Sequence, residues 1–213
     1  MKYIESKNND IFKNIKKLLL KPKNRKNFKR FVVEGLKEIT LCLESNYNLI
    51  ELYVCSEIHN KKYDDLYFKY KATNLSIKLY KELSYKEKGD GFLAIFHSKE
   101  FNLDQLILPK NPFILVAESP EKPGNIGAIL RTADAAGIDA VIIANLKTEI
   151  YNPNIIRSSL GSVFSSQIGV GKTKEVIDFL KRNKIKIIST LIKNSVDYSS
   201  VKFTGPCAII IGT

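Results

Sequence analysis

The chain has 213 residues, of which 34 are Lys or Arg and 22 are Asp or Glu, so its formal net charge is +12 at pH 7. Hydrophobic residues make up 44% of the sequence and charged residues 26%, which is ordinary for a globular protein and excludes a disordered chain, a collagen and a coiled coil. The sequence contains no run of about 18 apolar residues and no apolar signal region near Met1. We therefore expect neither a membrane span nor a secretory signal.

The cysteines and histidines indicate neither a disulfide framework nor a metal site. Cys42, Cys55 and Cys207 are odd in number and scattered along the chain, which favours buried thiols in a reducing compartment. His59 and His97 are the only histidines, and no group of cysteines and histidines has the spacing of metal ligands. We therefore expect a cytoplasmic protein that has neither a metal nor a membrane as a partner.

The N-terminal segment 1–27 concentrates the positive charge. Residues 1–30 contain eleven Lys and Arg but two acids, Glu5 and Asp10. Apolar residues at helical spacing predict a short basic helix over 10–20, and a polar loop is expected over 21–29. A cationic surface of this size attracts polyanions, most often nucleic acid. The alternative is a solvated surface that reflects a lysine-rich composition.

Residues 28–98 are predicted to form a small α/β domain because strand and helix patterns alternate along them. The expected strands are 31–33, 49–55, 75–79 and 92–96, and the expected helices are 36–44 and 63–70. A polar linker over 99–112, with Pro109 and Pro112 near its end, is expected to follow. The linker separates this domain from a second one with a clearer pattern.

Residues 113–213 contain continuous apolar runs, which are typical of buried parallel strands. The expected strands are 113–117, 140–144, 185–189 and 208–211, and the expected helices are 124–137, 152–160 and 173–183. Apolar strands separated by helices predict an α/β domain with a mostly parallel sheet that is covered on both faces. In such sheets, ligands bind beyond the carboxyl ends of the strands.

The stretch from Glu118 to Gly137 is the most informative part of the sequence, because it joins a buried strand to a helix. Asn125, after the turn at Pro123-Gly124, is expected to cap that helix. Arg131 follows six residues later, about 600° around an ideal helix, so Asn125 must act from the loop if both serve one pocket. Glu118 is a candidate to position Arg131. The alternative is an ordinary strand-turn-helix with a capping Asn, a surface Arg and an exposed loop acid.

Four segments carry a resemblance to a known family. They are Phe31–Ile39 (FVVEGLKEI), Pro123–Ala133 (PGNIGAILRTA), Asn152–Phe164 (NPNIIRSSLGSVF) and Ile209–Thr213 (IIIGT). In these segments the chain resembles the SpoU/TrmH-type RNA ribose 2′-O-methyltransferases of the SPOUT superfamily. The first is similar to the opening of the family's substrate-binding domain, the second to its first motif, the third to the segment after the second strand of the catalytic domain, and the last to the start of its second motif.

The resemblance implies an α/β fold in which an N-terminal L30e-like substrate-binding domain over 28–98 precedes an α/β-knot methyltransferase domain over 113–213 with a mostly parallel sheet. In the family, the second motif continues with a Glu, a third motif follows, and this tail forms a trefoil knot. Because the sequence stops at Thr213, we expect an incomplete knot domain from a C-terminally truncated family member. Full-length members are usually homodimers through the knotted region.

The implied reaction transfers a methyl group from S-adenosylmethionine (AdoMet) to a ribose 2′-hydroxyl of ribosomal or transfer RNA. Asn125 and Arg131 correspond to the family's catalytic Asn and Arg. The resemblance points to Thr190, Leu191 and Gly212 as cofactor-binding residues. The candidate RNA-binding residues are Lys26, Lys29, Arg30 and Arg157. Arg157 with Ser158 and Ser159 could contact RNA or a dimer partner, and the alternative is a structural role in holding the loop. Phe28 is a candidate for stacking on a base, although packing in the core is the more common fate of a Phe.

Two other functions stay open at this point. An RNA-binding protein of L30e type without methyltransferase activity is one alternative, and it predicts RNA affinity without cofactor binding. The other is an ordinary doubly wound nucleotide-binding enzyme. It is disfavoured because neither a Gly-x-Gly-x-x-Gly motif nor a P-loop motif follows any predicted strand.

Overall fold

The computed structural model describes residues 2–59, 69–86 and 89–212. It divides the chain into two compact units, one formed by residues 1–99 with 151–153 and the other by residues 100–150 with 154–213. Each unit is built around a five-stranded sheet. The α/β class predicted from the sequence is therefore confirmed for both units.

The first unit has a mixed sheet. Its strands are β1 (Tyr3–Ile4), β2 (Arg30–Glu34), β3 (Leu49–Val54), β4 (Thr73–Leu75) and β5 (Phe92–His97), and its helices are α1 (Asp10–Leu20), α2 (Pro22–Phe28), α3 (Leu36–Glu44) and α4 (Ile77–Leu83). The strand order is β1-β4-β3-β5-β2. β5 runs antiparallel to β2 and β3, whereas β4 runs parallel to β1 and β3.

Two of the sequence predictions for this unit are wrong. Helix α2 replaces the predicted loop over 21–29; it starts with Pro22 and ends before Lys29, which has a left-handed φ of 49°. The predicted strand over 75–79 is instead the end of β4 and the start of α4, because the Ser76 hydroxyl caps that helix by accepting the Leu79 N–H. The predicted helix over 63–70 lies almost entirely outside the described residues.

Helix α1 is amphipathic and packs into the core of the first unit. Its buried residues are Phe12, Ile15, Leu18 and Leu19, and they belong to one apolar cluster with residues of β2, β4, β5 and α4. The Asn9 side chain caps the helix by accepting the Ile11 N–H at 2.9 Å. The segment 1–27 is therefore packed into the first unit through an apolar face, and Lys13 and Lys17 of α1 are exposed on the other side of the helix.

Glu34 and Gly35, in the middle of the family-like segment Phe31–Ile39, have a structural role. The carboxylate of Glu34 accepts the backbone N–H groups of Tyr85 at 2.8 Å and Lys86 at 3.3 Å, which fixes the loop after α4. Gly35 has a φ of +101°, a conformation that side-chain-bearing residues rarely adopt. The pair turns the chain from β2 into α3.

The second unit has a parallel sheet, which confirms the prediction of a mostly parallel one. Its strands are β6 (Phe113–Glu118), β7 (Ala140–Ala144), β8 (Ile168–Gly171), β9 (Lys186–Ser189) and β10 (Cys207–Ile211), and its α-helices are α5 (Pro123–Ala135), α6 (Pro153–Ser159), α7 (Ser162–Ser165) and α8 (Thr173–Arg182). The strand order is β8-β7-β6-β10-β9, and each neighbouring pair is parallel. Strand β8 is absent from the sequence prediction, because its four residues include two glycines.

The segment 99–112, predicted as a linker, packs against this sheet from residue 100 onward. Leu103, Leu106 and Leu108 are partly buried against the core of the second unit. Gly169 in β8 allows this approach, since a Cβ there would meet the Leu103 side chain at 2.9 Å. The leucines explain why a stretch that looks polar and proline-rich does not form a free connection.

None of the described helices is both long and apolar enough to cross a membrane. The three cysteines are free and buried, as expected. Burial raises the pKa of the Cys42, Cys55 and Cys207 thiols, which keeps them protonated and unreactive.

Candidate active site

The carboxyl ends of the five parallel strands form one edge of the second unit. Glu118 ends β6, Asn145 follows β7, Thr173 follows β8, Thr190 follows β9 and Gly212 follows β10. Because parallel strands all end on the same side, this edge brings together residues that are far apart in the sequence. It includes Thr190 and Gly212, two of the three residues predicted to bind the cofactor.

Glu118 is the centre of a hydrogen-bonded group at this edge. Its carboxylate accepts hydrogen bonds from the Ser119 hydroxyl at 2.8 Å, the Asn145 amide at 2.9 Å and the Thr173 hydroxyl at 3.0 Å. The Asn145 amide also lies 2.5 Å from the Thr173 hydroxyl. These donors are neutral, and no Lys or Arg of the described chain pairs with Glu118. The edge therefore carries a half-buried negative charge whose position is fixed by three strand ends.

The backbone at this edge is bent. Ser119 and Asn145 follow two adjacent strands, and both have left-handed φ values, of 48° and 52°. Asn tolerates this conformation, whereas Ser does so at a cost. Such residues occur where a fold needs a sharp change of direction, and they are common at functional sites. Here the bends turn the chain at the points where Glu118 receives its hydrogen bonds.

The predicted cofactor residues lie side by side on the neighbouring strands. Thr190 donates its backbone N–H to the Ile210 carbonyl at 3.0 Å, and its hydroxyl reaches the same oxygen at 3.1 Å. Leu191 follows it and is 62% exposed. A Cβ on Gly212 would meet the Glu118 Cβ at 3.2 Å, so this position is next to the Glu118 group. The structure thus gathers Thr190, Leu191 and Gly212 at one edge.

Asn125 does not cap the helix, and it lies in the helix instead of the loop from which it would have to act if it shared one pocket with Arg131. Helix α5 begins at Pro123, with Lys122 at the capping position and no side-chain cap. Proline favours the first helical position because its φ is fixed and its missing N–H would have no partner there. Asn125 therefore lies in the first turn. On an ideal helix, Asn125 and Arg131 are about 9 Å apart along the axis and about 120° apart around it.

Arg131 is an exposed residue of α5. Its guanidinium has no hydrogen bond or ion pair with any residue that the structure describes. The suggestion that Glu118 positions Arg131 is not supported, since the Glu118 carboxylate is bound by Ser119, Asn145 and Thr173. Arg131 is thus a cation on the helix that starts at the strand edge, available to a ligand that the chain itself does not provide.

Gly127 allows α5 to touch α6 directly. A Cβ at this position would overlap the Ser158 hydroxyl and would lie 2.7 Å from the Ile155 carbonyl and 2.8 Å from the Ser159 nitrogen. Gly127 is buried, and Arg131 follows it by one helical turn. The contact explains the glycine in the first motif as a requirement of backbone packing.

Arg157 and its neighbours have different environments. Arg157 is exposed on α6. Ser158 and Ser159 instead donate their hydroxyls to carbonyls of their own helix, those of Asn154 at 2.6 Å and Ile156 at 2.9 Å. The two serines therefore hold local structure, and Arg157 stays available for an anionic partner.

The candidate RNA-binding residues of the first unit lie at and after α2. Lys26 and Lys29 are exposed, and Arg30 begins β2, opposite His97 on β5. Phe28 is 55% exposed, so the expectation that it packs in the core is wrong. The described residues contain no group of three or more His, Cys, Asp or Glu that could hold a metal ion.

Not every cation of the N-terminal segment is free to bind. Arg25 is 4% exposed, and its guanidinium donates hydrogen bonds to the carbonyls of Leu18 and, at 2.9 Å, of Leu19. Lys16 and Lys7 both pair with Glu82. The hydrogen bond from Lys16, followed by that from Lys7, holds the pKa of Glu82 below its usual value. The count of basic residues alone therefore overstates the available charge.

The sequence matches two family models in succession. Residues 8–94 match the MRM3-like substrate binding domain, and residues 112–213 match the SpoU rRNA Methylase family. The chain belongs to the SpoU family of RNA 2′-O-methyltransferases, which use AdoMet as the methyl donor. The resemblance found in the sequence is therefore confirmed.

Individual relatives agree with this assignment. The chain is 29% identical to the 23S rRNA (guanosine(2553)-2′-O)-methyltransferase RlmP of Bacillus subtilis (strain 168), and the match covers 100% of this chain and 82% of the relative. It is 27% identical to a 23S rRNA (uridine(2479)-2′-O)-methyltransferase of Streptomyces viridochromogenes, over 85% of this chain and 67% of the relative.

Solved structures show the same fold. An RNA 2′-O ribose methyltransferase superposes with a TM-score of 0.86 at 32% identity, covering 99% of this chain and 81% of the other. The SpoU methyltransferase AviRb from Streptomyces viridochromogenes, solved in complex with AdoMet, gives a TM-score of 0.84 at 25% identity, covering 96% and 81%. Both similarities extend through the two units.

Proposed function

We propose that this enzyme methylates a ribose 2′-hydroxyl of ribosomal RNA, with the methyl donor held at the carboxyl edge of the parallel sheet. The observation that carries the proposal is the fixed group around Glu118, which lies beside Gly212 and the exposed Thr190-Leu191 segment. The choice of ribosomal over transfer RNA is supported by two relatives whose names specify 23S rRNA.

The residues at this edge fit AdoMet. The Glu118 carboxylate is held by neutral donors, so its negative charge is available to a cationic ligand such as a sulfonium compound. Gly212 adds no side chain where the backbone ends beside Glu118. Leu191 offers an exposed apolar surface for an aromatic ring, and Thr190 offers a hydroxyl. When bound there, AdoMet supplies the methyl group.

Arg131 is the residue that we assign to charge stabilisation. A guanidinium is always protonated at neutral pH, so it cannot act as a base. It can grip an RNA phosphate with two parallel hydrogen bonds and so orient the adjacent ribose. Its positive charge also stabilises the negative charge that develops on the 2′-oxygen. The lack of a described partner for Arg131 within the chain supports this role.

Asn125 is assigned a separate role at the start of the same helix. Because Asn125 and Arg131 differ by about 120° around α5, a single small group would not contact both. Asn125 is exposed in the first turn, near the strand edge, and its amide can donate to one group and accept from another. We assign it to orienting the ribose that receives the methyl group.

RNA is held by cations on both units in this proposal. Lys26, Lys29 and Arg30 lie at and after α2 of the first unit, and exposed Arg157 lies on α6 of the second. Contacts of this kind go mainly to phosphates, so they position the RNA without reading its sequence. We place the enzyme in the cytoplasm, an assignment that the three buried, unpaired cysteines support.

A homodimer is part of the proposal. The segment between β9 and β10 exposes several large apolar side chains, namely Leu191 (62%), Ile192 (100%), Val196 (72%), Tyr198 (79%) and Phe203 (43%). Contiguous exposed apolar surface marks interaction sites. Sedimentation equilibrium should give twice the monomer mass, and replacement of Ile192 by Asp should shift the protein to monomer. A monomeric unmodified protein would contradict this part.

The test of the proposed function is methyl transfer from AdoMet to ribosomal RNA that lacks the modification. A 2′-O-methyl group blocks alkaline cleavage of the following phosphodiester, so the labelled product should survive alkali as a dinucleotide. Label recovered in single nucleotides would indicate base methylation and contradict the proposal. Unmodified transfer RNA, assayed in parallel, should remain unlabelled; labelling of transfer RNA alone would overturn the choice of ribosomal RNA.

A further inference from the structure

We propose that Phe28 is a stacking platform for an unpaired base of the RNA, set among lysines that hold the neighbouring phosphates. The inference rests on the proposed RNA substrate and names the form in which that RNA meets the first unit: single-stranded, with at least one base turned out.

The exposure of Phe28 is unusual for its surroundings. Phe12, Phe31, Phe92 and Phe96, in the same unit, are each at most 3% exposed, whereas Phe28 is 55% exposed. A phenylalanine of this fold is therefore ordinarily a core residue, and Phe28 is placed outside the core by the local backbone. It is the last residue of α2, and Lys29 then turns the chain in a left-handed conformation with a φ of 49°.

The charge around Phe28 has one sign. Residues 11–33 contain nine Lys and Arg and no Asp or Glu. Lys21, Lys23, Lys26 and Lys29, which flank Phe28 on α2 and its two ends, are all exposed. Arg25 does not contribute, because its guanidinium is buried against the Leu18 and Leu19 carbonyls. The surface thus combines one exposed aromatic ring with several lysines.

This combination is chemically suited to single-stranded RNA. An unpaired base presents a flat face that stacks on an aromatic ring, while cations track the backbone. In a duplex the base faces are hidden, so Phe28 would have no base to stack on. Only the lysines would then contribute to binding, through their contacts with phosphates. An acidic protein would satisfy the lysines but would leave the ring without a specific partner, so unpaired RNA fits this surface better.

The absence of tryptophan gives a direct probe. The chain contains no Trp and ten Tyr, so Phe28→Trp introduces a single tryptophan, which can be excited at wavelengths where the tyrosines do not absorb, and it preserves an aromatic face at the proposed platform. We expect its fluorescence to be quenched on titration with oligoadenylate of about 12 nucleotides, a length within the usual site size. We expect no quenching with the oligoadenylate–oligouridylate duplex of the same length. Binding of oligoadenylate without any change in fluorescence would overturn the proposal.

Affinity and salt dependence separate stacking from charge. Phe28→Leu keeps an apolar side chain without an aromatic face and should weaken oligoadenylate binding about 5- to 100-fold, with the same dependence on salt. Lys26→Gln should instead make the salt dependence shallower, by about 0.7 in the logarithmic slope. An unchanged dissociation constant for Phe28→Leu would refute stacking.

Tyr85→Leu is the matched control, because Tyr85 is an exposed aromatic residue of the same unit, at 43%, and lies next to Glu34 and Lys86 instead of a lysine cluster. It should bind oligoadenylate like the unmodified protein, and an equal loss would contradict a specific role for Phe28. The outcome is independent of methyl transfer. Quenching in a protein that methylates no RNA would support base stacking on Phe28 and contradict the proposed function. Methylation of RNA by a protein whose Phe28→Trp fluorescence does not change on binding would support the proposed function and contradict stacking.

Discussion

The N-terminal helices of the first unit and the strand edge of the second unit use polar residues in opposite ways. Around α2, exposed lysines and one aromatic ring face solvent. At the strand edge, the carboxylate of Glu118 is fixed by hydrogen bonds from Ser119, Asn145 and Thr173, which follow three neighbouring strands. A surface that holds a polyanion needs charge density, whereas a site for a small ligand needs fixed geometry.

Each region also contains a residue that stabilises the fold and that we do not assign to binding. Arg25 belongs to the basic segment by sequence but is buried against two carbonyls. Gly127 belongs to the recognised motif of the catalytic unit but serves the packing of α5 on α6. Substitutions at Arg25 and Gly127 should lower stability more than matched substitutions at their exposed neighbours.

The largest effect on stability is expected at Arg25. Arg25→Met keeps the length of the side chain but removes its hydrogen bonds to the carbonyls of Leu18 and Leu19, which lie at the end of α1. Because these are charge-assisted bonds to buried groups, the free energy of unfolding should fall by about 3 kcal/mol, as measured by urea denaturation.

Lys26→Met is the control for Arg25, because Lys26 is the next residue and is exposed. It should change stability by less than about 0.5 kcal/mol but should weaken RNA binding. If Arg25→Met were as stable as Lys26→Met, the distinction between structural and RNA-binding cations would be wrong.

The second-largest effect on stability is expected at Gly127, and Gly124 of the same helix is its control. Gly127→Ala should lower the free energy of unfolding by about 2 kcal/mol, because the added methyl group cannot fit against the backbone of Ile155 and Ser159. Gly124→Ala has no neighbour within 4 Å and should leave stability unchanged or raise it by about 0.5 kcal/mol. Thermal unfolding of the two variants side by side makes the comparison. Equal melting temperatures would show that α5 and α6 are not in the described contact.

The smallest effects are expected for single cations of the RNA surface. Lys26→Gln, Lys29→Gln and Arg30→Gln should each reduce the slope of log affinity against log salt by about 0.7, with little change in stability. Fluorescence anisotropy of labelled RNA over a range of salt concentrations measures the slope. A variant that loses affinity without a change in slope would indicate a contact to a base or a structural defect, and would remove that residue from the phosphate-binding set.

The sequence predicted the parts of the fold that depend on local pattern. Continuous apolar runs identified β6, β7, β9 and β10, and the predicted helices before β7 and β9 indicated a mostly parallel sheet. The pattern failed at α2, where Lys and Asn mask a helix that starts at Pro22. It also failed at β8, where glycines are present because Leu103 packs against them. Both failures involve contacts with other segments, which the pattern of neighbouring residues does not show: Arg25 of α2 binds the carbonyls at the end of α1, and Leu103 packs against β8.

The candidate site was predictable only in part, for the same reason. The segments around Asn125, Arg131 and Gly212 were found because each resembles a family motif. Thr190 was found because it follows the predicted strand 185–189, whose loop contacts AdoMet in the family. Asn145 and Thr173 were missed, although both bind Glu118, because they lie 27 and 55 residues away from it in the sequence. Asn145 has one sequence signal, a polar residue directly after an apolar strand, which predicts a place at the strand edge without naming a partner. Thr173 follows β8, which the sequence did not predict.

The most direct test of the account concerns Arg131. Single-turnover methyl transfer to unmodified 23S rRNA and the affinity for that RNA should be measured for Arg131→Ala and Arg131→Lys. We expect Arg131→Ala to transfer methyl groups about 100- to 1,000-fold more slowly, with Arg131→Lys between it and the unmodified enzyme. RNA affinity should fall by a much smaller factor in both variants, because the other phosphate contacts remain. Methyl transfer at the original rate by Arg131→Ala would contradict the central claim.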